Sequence, residues 1–319
     1  MRPINMLYIA LLVAGLAAPL LGVYPVYLMT LYCFAIFACA FNLLLGFGCM
    51  LSFGHAAYFG FAAYVTSWLV TSQGWTSLLA IAAGIVVAAM MGLVIGLIAI
   101  RRTGIYFAMT TLALSQVVYF VCLQAPFTGG ENGLQGVPRG SLLGLFSFQS
   151  DTAIYYFVFA CLIGVYLFIS RIVHSPFGQV LKAIRENEPR AISLGYDVNR
   201  YKLLVFVLSA GLAGLAGSLK SLVLGFATLS DVLQATSGEV ILMTLLGGSG
   251  TFFGPIVGAG IVVTLQDMLA DRVGSCVTVI IGVIFVVCVM AFRKGVVGEL
   301  QARIQRRSAR RQNADSPAQ

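Results

Sequence analysis

Runs of about 20 apolar residues recur along almost the whole chain, and this pattern restricts the fold more than any other feature. A helix needs roughly 20 such residues to cross the hydrocarbon core of a bilayer. The alternating segments of roughly 10 residues that are typical of membrane β-barrels do not occur in the sequence. Only 9% of the 319 residues are charged, against roughly 25% in soluble domains. The sequence therefore predicts an all-α integral membrane protein, a polytopic bundle of about 8–10 transmembrane helices.

Ten segments are candidate spans: residues 6–23, 26–45, 48–70, 78–100, 104–124, 152–170, 203–224, 238–249, 254–271 and 275–292. We interpret Met1 to Val23 as a first transmembrane helix and not as a signal peptide, because a second span follows almost at once. The run 238–249 is short, and glycines interrupt the region from Gly46 to Gly60. Both are predicted to be broken or re-entrant, a backbone tolerated at membrane depth where protein or a water-filled path satisfies it.

The basic residues fall mostly between the spans. If Arg2 lies in the cytoplasm, the parity of the spans brings Arg101, Arg102, the loop 171–202 and the tail 293–319 to the same side. This asymmetry predicts cytoplasmic N- and C-termini. The net charge of +8 therefore indicates orientation in the lipid bilayer and not a nucleic-acid partner. The predicted division is a transmembrane domain, residues 1–292, which includes the loop 171–202, followed by a basic cytoplasmic tail, 293–319.

The seven cysteines and two histidines predict no metal site and no cofactor, since the cysteines lie mostly within apolar runs and form no C-x-x-C pair. No phosphate-binding G-x-x-x-x-G-K-[ST] loop and no catalytic motif occurs either. We therefore expect a chain that is not an enzyme. If ATP drives its function, the ATPase is another polypeptide.

The segment 171–202 is the only long polar stretch between apolar runs. Ser175 can cap a helix that starts at Pro176 and runs to about Glu186. Glu188 and Pro189 repeat the start signal, and Gly195 supplies a left-handed stop. Two short helices on an aqueous face suit a docking surface; the alternative is an ordinary loop whose charges only set orientation.

The residues from Glu188 to Gly195 resemble the Glu-Ala-Ala…Gly loop of ATP-binding-cassette importer permeases, with Pro189 and Arg190 at the Ala-Ala positions. The wider run from Ser175 to Tyr196 resembles the branched-chain amino acid permeases of the LivM type. The resemblance implies that this loop is the coupling element that sits in a cleft of the ATPase subunit. The residues expected to couple are Arg185, Glu186, Glu188, Pro189, Arg190, Ala191 and Gly195.

A second segment, Leu51 to Gly60, contains the only histidine in an apolar context, His55. An ionisable group inside the membrane is a functional candidate; the alternative is that it fixes packing through a hydrogen bond to a neighbouring carbonyl. The Ser-x-Gly-His pattern resembles the same family, as does the glycine-rich run after Glu239. The residues expected to shape the translocation path are Asn42, Ser52, Gly54, His55, Glu239, Gly247 and Gly248.

Four smaller features complete the predictions. Ser237 is expected to cap a helix that carries Glu239 in its first turn, and Lys220 is expected to reach the outer interface. Small residues four apart around Gly214 and Gly217 predict close helix crossing, within the subunit or against a partner. Residues 128–133, which also resemble the family, predict a tight glycine turn that faces an external partner or simply closes a hairpin.

Three functions fit these observations. The resemblance implies an importer permease for branched-chain or related amino acids in a bacterial inner membrane. The partners that it implies are a second, LivH-like permease subunit, two cytoplasmic ABC ATPase subunits and a periplasmic substrate-binding protein. Urea or short amides are alternative substrates within the same family. An ion-coupled secondary transporter is disfavoured because buried ionisable residues are few. A structural subunit that moves nothing is the third possibility.

Overall fold

The computed structural model describes residues 24–139, 141–142, 146–147 and 150–273, with the separate positions 15, 280, 282–283, 295 and 297–299. The predicted spans 6–23 and 275–292 and the predicted tail 293–319 lie almost entirely outside the described residues. The helices are α1 (Pro25–Asn42), α2 (His55–Ser72), α3 (Ser77–Ala99), α4 (Ile105–Gln124), α5 (Asp151–His174), α6 (Pro176–Glu186), α7 (Glu188–Ser193), α8 (Val198–Leu224), α9 (Gln234–Gly247) and α10 (Gly254–Val273).

Five described helices are long and apolar enough to cross a membrane: α1 with its extension to Phe47, α3, α4, α5 and α8. The helices α2, α9 and α10 are shorter or less apolar and pack among them, so eight bundle helices lie within the described residues. The prediction of a polytopic helical membrane protein is confirmed. The predicted loop 171–202 is too long at both ends, because α5 continues to His174 and α8 begins at Val198.

Helix α8 lies at the centre of the bundle, in contact with α1, α2 and α3. Its small residues allow this close packing. A Cβ at Gly217 would overlap the backbone carbonyl of Phe59 in α2, and one at Gly214 would overlap Ala88 in α3. The predicted small-residue faces of α8 therefore pack within the subunit.

The predicted glycine breaks are present. Helix α1 ends in a π-helical turn, Leu43–Phe47, and the chain remains non-helical until α2 starts at His55. Cys49 within this break has φ 55°, the left-handed region that a non-glycine residue seldom adopts. Helix α9 has only 14 residues and ends at Gly247; the next residue, Gly248, has φ 116°. The segment Gly48–Gly54, which we call the break segment, is thus irregular backbone inside a helical bundle.

The two ends of the bundle differ. One end, which we call the loop end, carries α6 and α7. The other, the strand end, carries two short antiparallel pairs: β1 (Leu134–Gln135) with β4 (Phe226–Ala227), and β2 (Ser141–Leu142) with β3 (Phe146–Ser147). The predicted glycine turn 128–133 lies at the strand end and packs on the segment after α8, since a Cβ at Gly133 would overlap the Ala227 carbonyl. It is not a plain hairpin loop.

Candidate functional site

The local geometry of the polar loop follows its capping residues. The Ser175 Oγ accepts a hydrogen bond from the Gly178 amide (3.4 Å), and the Asn187 Oδ1 accepts one from the Arg190 amide (3.1 Å). Gly195 ends α7 with φ 85°, a conformation that favours glycine. The two predicted helices and their left-handed stop are therefore present, with Asn187 as the second cap.

The predicted coupling residues divide into outward and inward groups. Arg185, Glu186, Pro189, Arg190 and Gly195 are exposed, whereas Ala191 is buried in a small apolar cluster that holds α7 to α6 and α8. Two large apolar side chains lie between the exposed charged residues: Ile192 is 57% exposed and Leu194 is 68% exposed. Neither is among the residues predicted from the sequence. The outer surface of α7 is thus partly apolar, and we call these two residues with Pro189 and Arg190 the loop patch.

Glu188 does not project freely from the loop. Its Oε1 accepts a hydrogen bond from the Lys202 Nζ at 2.7 Å, and the Lys202 side chain is only 11% exposed. This ion pair joins the start of α7 to the first turns of α8. Glu188 is therefore held within the subunit by a contact that no local sequence pattern indicates.

Arg185 points towards the bundle. Its Nη1 donates a hydrogen bond to the carbonyl of Gly46, in the π-helical turn that ends α1. The guanidinium also lies beside Gly250, where an added Cβ would be 3.2 Å from Nη1. A predicted coupling residue on α6 thus contacts two of the glycine-rich breaks.

Asn42 joins those two breaks to each other. Its Nδ2 donates a hydrogen bond to the Thr251 carbonyl (2.9 Å), and its Oδ1 accepts one from the Gly250 amide (2.9 Å). The side chain is almost fully buried. Asn42 therefore hydrogen-bonds two backbone groups of the turn between α9 and α10. Of the predicted path residues, Gly247 ends α9 and Gly248 begins this turn. Because Gly247 packs against the Gly254 backbone, this turn is compact as well as hydrogen-bonded.

A cavity of ≈ 720 Å³ opens beside these contacts. The break segment forms one wall and the N-terminal turns of α4 form another, while Arg185, Glu188 and Lys202 approach from the loop. Apolar side chains dominate the rest of the lining. The cavity therefore connects the polar loop with the irregular backbone at the end of α1.

The predicted path residues Ser52, Gly54 and His55 lie deeper in the bundle and are buried. The Phe53 amide donates a hydrogen bond to the Thr111 Oγ1 of α4 (3.3 Å), and the Gly54 amide donates one to the Ser52 Oγ (3.3 Å). A Cβ at Gly54 would be 2.7 Å from the Thr111 carbonyl. The backbone of the break segment thus contacts Thr111 of α4 through one hydrogen bond and through close packing at Gly54.

His55 is fully buried and starts α2. Its Nε2 is 2.8 Å from the Ser209 Oγ, which in turn donates its single proton to the Ala40 carbonyl (2.6 Å). The Nε2 must therefore carry a proton and donate it to Ser209. The rings of Phe41 and Tyr58 meet the imidazole edge-on at 5.1 and 5.5 Å. This environment favours a packing role for His55. The sequence indicates its partner only through Ser209, the one hydroxyl residue in the apolar run 203–215 of α8.

The structure corrects two predictions at the strand end. Helix α9 begins at Gln234, so Glu239 is not in its first turn, and Ser237 accepts a hydrogen bond from the Ala56 amide (2.9 Å) instead of capping. Lys220 does not reach an interface; it forms an ion pair with Asp231, and both side chains are at most 12% exposed. Glu239 is half-buried and does not line the cavity.

Among the described residues, no group of His, Cys, Asp and Glu side chains is arranged to hold a metal ion. The fold and the site define a class: a polytopic helical membrane protein with broken helices, a cavity at the loop end and a structured polar loop. Residues 23–290 match the family model described as the permease component of branched-chain amino acid transport systems. The chain belongs to this family of permease components.

The relatives agree with this assignment. The high-affinity branched-chain amino acid transport permease LivM of Salmonella typhimurium is 33% identical over 212 residues, 59% of this chain and 50% of its own length. The Escherichia coli LivM is 32% identical over 207 residues, 58% of this chain and 49% of its own. A probable LivH permease of Methanocaldococcus jannaschii is 29% identical over 136 residues, 41% of this chain and 40% of its own. The chain thus spans about half the length of the LivM relatives, and no solved structure matches it significantly.

Proposed function

We propose that this chain is a transmembrane permease subunit of an ATP-binding-cassette importer for branched-chain or related amino acids. In this proposal the substrate is delivered by a periplasmic binding protein and passes between the bundle helices. Separate ATPase subunits bind the loop at residues 171–202 and drive the exchange of the path between outward-open and inward-open states. The chain forms the path with a second, LivH-like permease subunit.

The loop patch is the observation that carries the proposal. A loop that only set orientation would need charge but no fold. Here the loop consists of two capped helices, and it exposes Ile192 and Leu194 beside Arg190. Exposed apolar side chains with a polar rim are typical of a protein-binding surface. The position in the chain is the one at which the family resemblance expects the ATPase.

The loop patch can be tested by association. Leu194→Glu places a charge in the patch and should reduce co-purification of the cognate ATPase subunits, together with ATP-driven uptake in proteoliposomes, at least about tenfold. Leu233→Glu is the matched control, because Leu233 is 38% exposed on the connection that leads into α9, away from the loop. Normal ATPase binding and uptake by the Leu194 variant would contradict the proposed docking site.

Orientation is part of the proposal. Both termini and the loop are cytoplasmic, residues 1–292 form the permease domain, and residues 293–319 form a basic tail on the inner membrane surface. Protease cleavage between Lys182 and Arg190 should require access from the cytoplasmic side. Cleavage from the periplasmic side would exclude any contact with a cytoplasmic ATPase.

The binding protein does most of the substrate selection in this proposal, so the identity of the substrate is best measured there. Isothermal titration of the cognate binding protein with leucine, isoleucine, valine, urea and acetamide should show the tightest binding for a branched-chain amino acid. Preferential binding of urea or an amide would assign the same machinery to those substrates.

One observation favours an ion-coupled transporter as the second candidate. The pair Lys220–Asp231 is a buried ionisable pair, of the kind found in ion-coupled carriers. Uptake by the purified chain in response to a proton or sodium gradient, without ATPase subunits, would support that candidate. Uptake that requires ATP, the ATPases and the binding protein would support the importer.

A further inference from the structure

The contacts of Arg185 connect the polar loop with both irregular segments at the loop end of the bundle. The guanidinium donates to the Gly46 carbonyl and lies against Gly250. Asn42 then holds Gly250 and Thr251 to the end of α1. A displacement of α6 larger than the Arg185 side chain can follow would therefore either break this hydrogen bond or move the end of α1 and the α9–α10 turn with it.

The backbone on the other side of Gly46 is strained. The π-helical turn Leu43–Phe47 is of a type that occurs often at functional sites. Cys49, two residues beyond it, has φ 55°, and a non-glycine residue in this region stores strain that its surroundings must hold. The break segment is thus held in a less favourable conformation.

The cavity shows what a change in this backbone would alter. Gly48, Cys49 and Met50 line it from the break segment, and Arg185 lines it from α6. Movement of Arg185 relative to Gly46 would change the opening between them. Irregular backbone at membrane depth is tolerated where it lines such a cavity.

We propose that Arg185 is a positioning residue of the transport cycle: it transmits movement of the polar loop to the break segment, which acts as the gate at the loop end of the path. Arg185 acts through the Gly46 carbonyl and the turn at Gly250. This inference rests on the proposed function, because the ATPase supplies the movement. It assigns a role within the subunit to a residue that resemblance alone would place in the ATPase interface.

Cys49 supplies a native reporter for the test. It is an exposed free cysteine in the cavity wall. A variant that retains Cys49 and has alanine at the six other cysteines (33, 39, 122, 161, 276 and 288) is reconstituted with the ATPase subunits. Its labelling by a membrane-impermeant maleimide is measured without nucleotide and with ATP trapped by vanadate. We expect the labelling rate to differ at least about fivefold between the two states, the lower end of typical coupling.

Arg185→Ala should abolish this difference and lower the ratio of substrate imported to ATP hydrolysed at least about fivefold, while ATP hydrolysis continues. Arg185→Lys keeps a cationic donor and should retain part of both signals. Arg171→Ala is the matched control, since the Arg171 side chain is exposed and has no hydrogen bond or ion pair recorded among the described residues. If the alanine variant does not fold, Arg185→Gln is measured in its place.

The outcomes separate the two proposals. If the parent protein imports substrate with ATP but Arg185→Ala keeps the same ratio and the same change in Cys49 labelling, the role of Arg185 is excluded and the importer stands. If Cys49 labelling in the parent protein does not respond to nucleotide during ATP-driven uptake, the break segment is not the gate. If the complete assembly shows no ATP-driven uptake, the importer function fails, and the inference about Arg185 fails with it.

Discussion

The Nζ of Lys220 forms an ion pair with the Oδ1 of Asp231 in the interior of the bundle near the strand end. The ammonium group also lies over the rings of Phe34 and Phe59, 5.5 and 5.6 Å from their centroids. Asp231 in turn accepts a hydrogen bond from the Thr228 amide. The pair therefore attaches the connection between α8 and α9 to the centre of the bundle. Removal of one partner would leave the charge of the other buried without a counter-ion.

Lys220→Met should destabilise the protein by about 3–5 kcal/mol, because it leaves the Asp231 carboxylate buried without its cation. Replacement of both residues, as Lys220→Met with Asp231→Leu, should recover part of this loss. The thermal midpoint of the purified protein in detergent measures both effects. A single variant as stable as the parent protein would show that the pair does not hold the connection.

The exposed pair Arg200–Asp197 is the control for this prediction. Its side chains are 83% and 50% exposed, and water and salt screen such pairs. Arg200→Met should change stability by only about 0–1 kcal/mol. A loss equal to that of Lys220→Met would mean that burial does not explain the difference.

Ser209→Ala tests the packing role of His55. The substitution leaves the Nε2–H of His55 buried without an acceptor, which should cost about 1–3 kcal/mol. Thermal stability should fall, while uptake per folded transporter should stay close to that of the parent protein. His174→Ala, at the exposed second histidine, should cost much less. Uptake that fell far more than stability would instead support a path role for His55.

The close approach of α8 and α2 leads to a comparison of two glycines. A methyl group at Gly217 would overlap the Phe59 carbonyl, whereas one at Gly164 in α5 meets no heavy atom within 4 Å. Gly217→Ala should therefore lower the yield of monodisperse protein strongly. Gly164→Ala should be neutral or stabilise α5 by about 1 kcal/mol. Equal behaviour in size-exclusion chromatography would contradict this packing.

The sequence predicted those features that depend on neighbouring residues. Ser175, Pro176 and Gly195 define the loop helices locally, and runs of apolar residues define α1, α3 and α4. Features that depend on distant contacts were missed: Lys220 finds Asp231 only after the chain turns back at the strand end. The start of α9 was misplaced for a similar reason, because the Ser237 hydroxyl is engaged by the Ala56 amide of another helix. The contact of Arg185 with the Gly46 carbonyl likewise joins residues that are far apart in the sequence.

The pair Glu188–Lys202 separates structural from coupling roles in the loop. Glu188→Lys should release the start of α7 from α8 and lower ATP-driven uptake while the subunit remains inserted. The exchanged variant, Glu188→Lys with Lys202→Glu, restores an ion pair of reversed polarity and should regain stability. If it also regains uptake, Glu188 acts within the subunit. If only stability returns, the carboxylate itself contacts the ATPase.

Asn42 should control the turn between α9 and α10. Asn42→Leu removes the acceptor of the Gly250 amide and the donor to the Thr251 carbonyl, each bond contributing about 1 kcal/mol. Hydrogen–deuterium exchange should therefore rise in peptides covering residues 247–254. Asn199→Leu, at an exposed position in the first turn of α8, should leave that exchange unchanged. Unaltered exchange in the Asn42 variant would mean that backbone packing holds the turn without the Asn42 hydrogen bonds. Arg185 would then be the principal side chain that joins this turn to the polar loop.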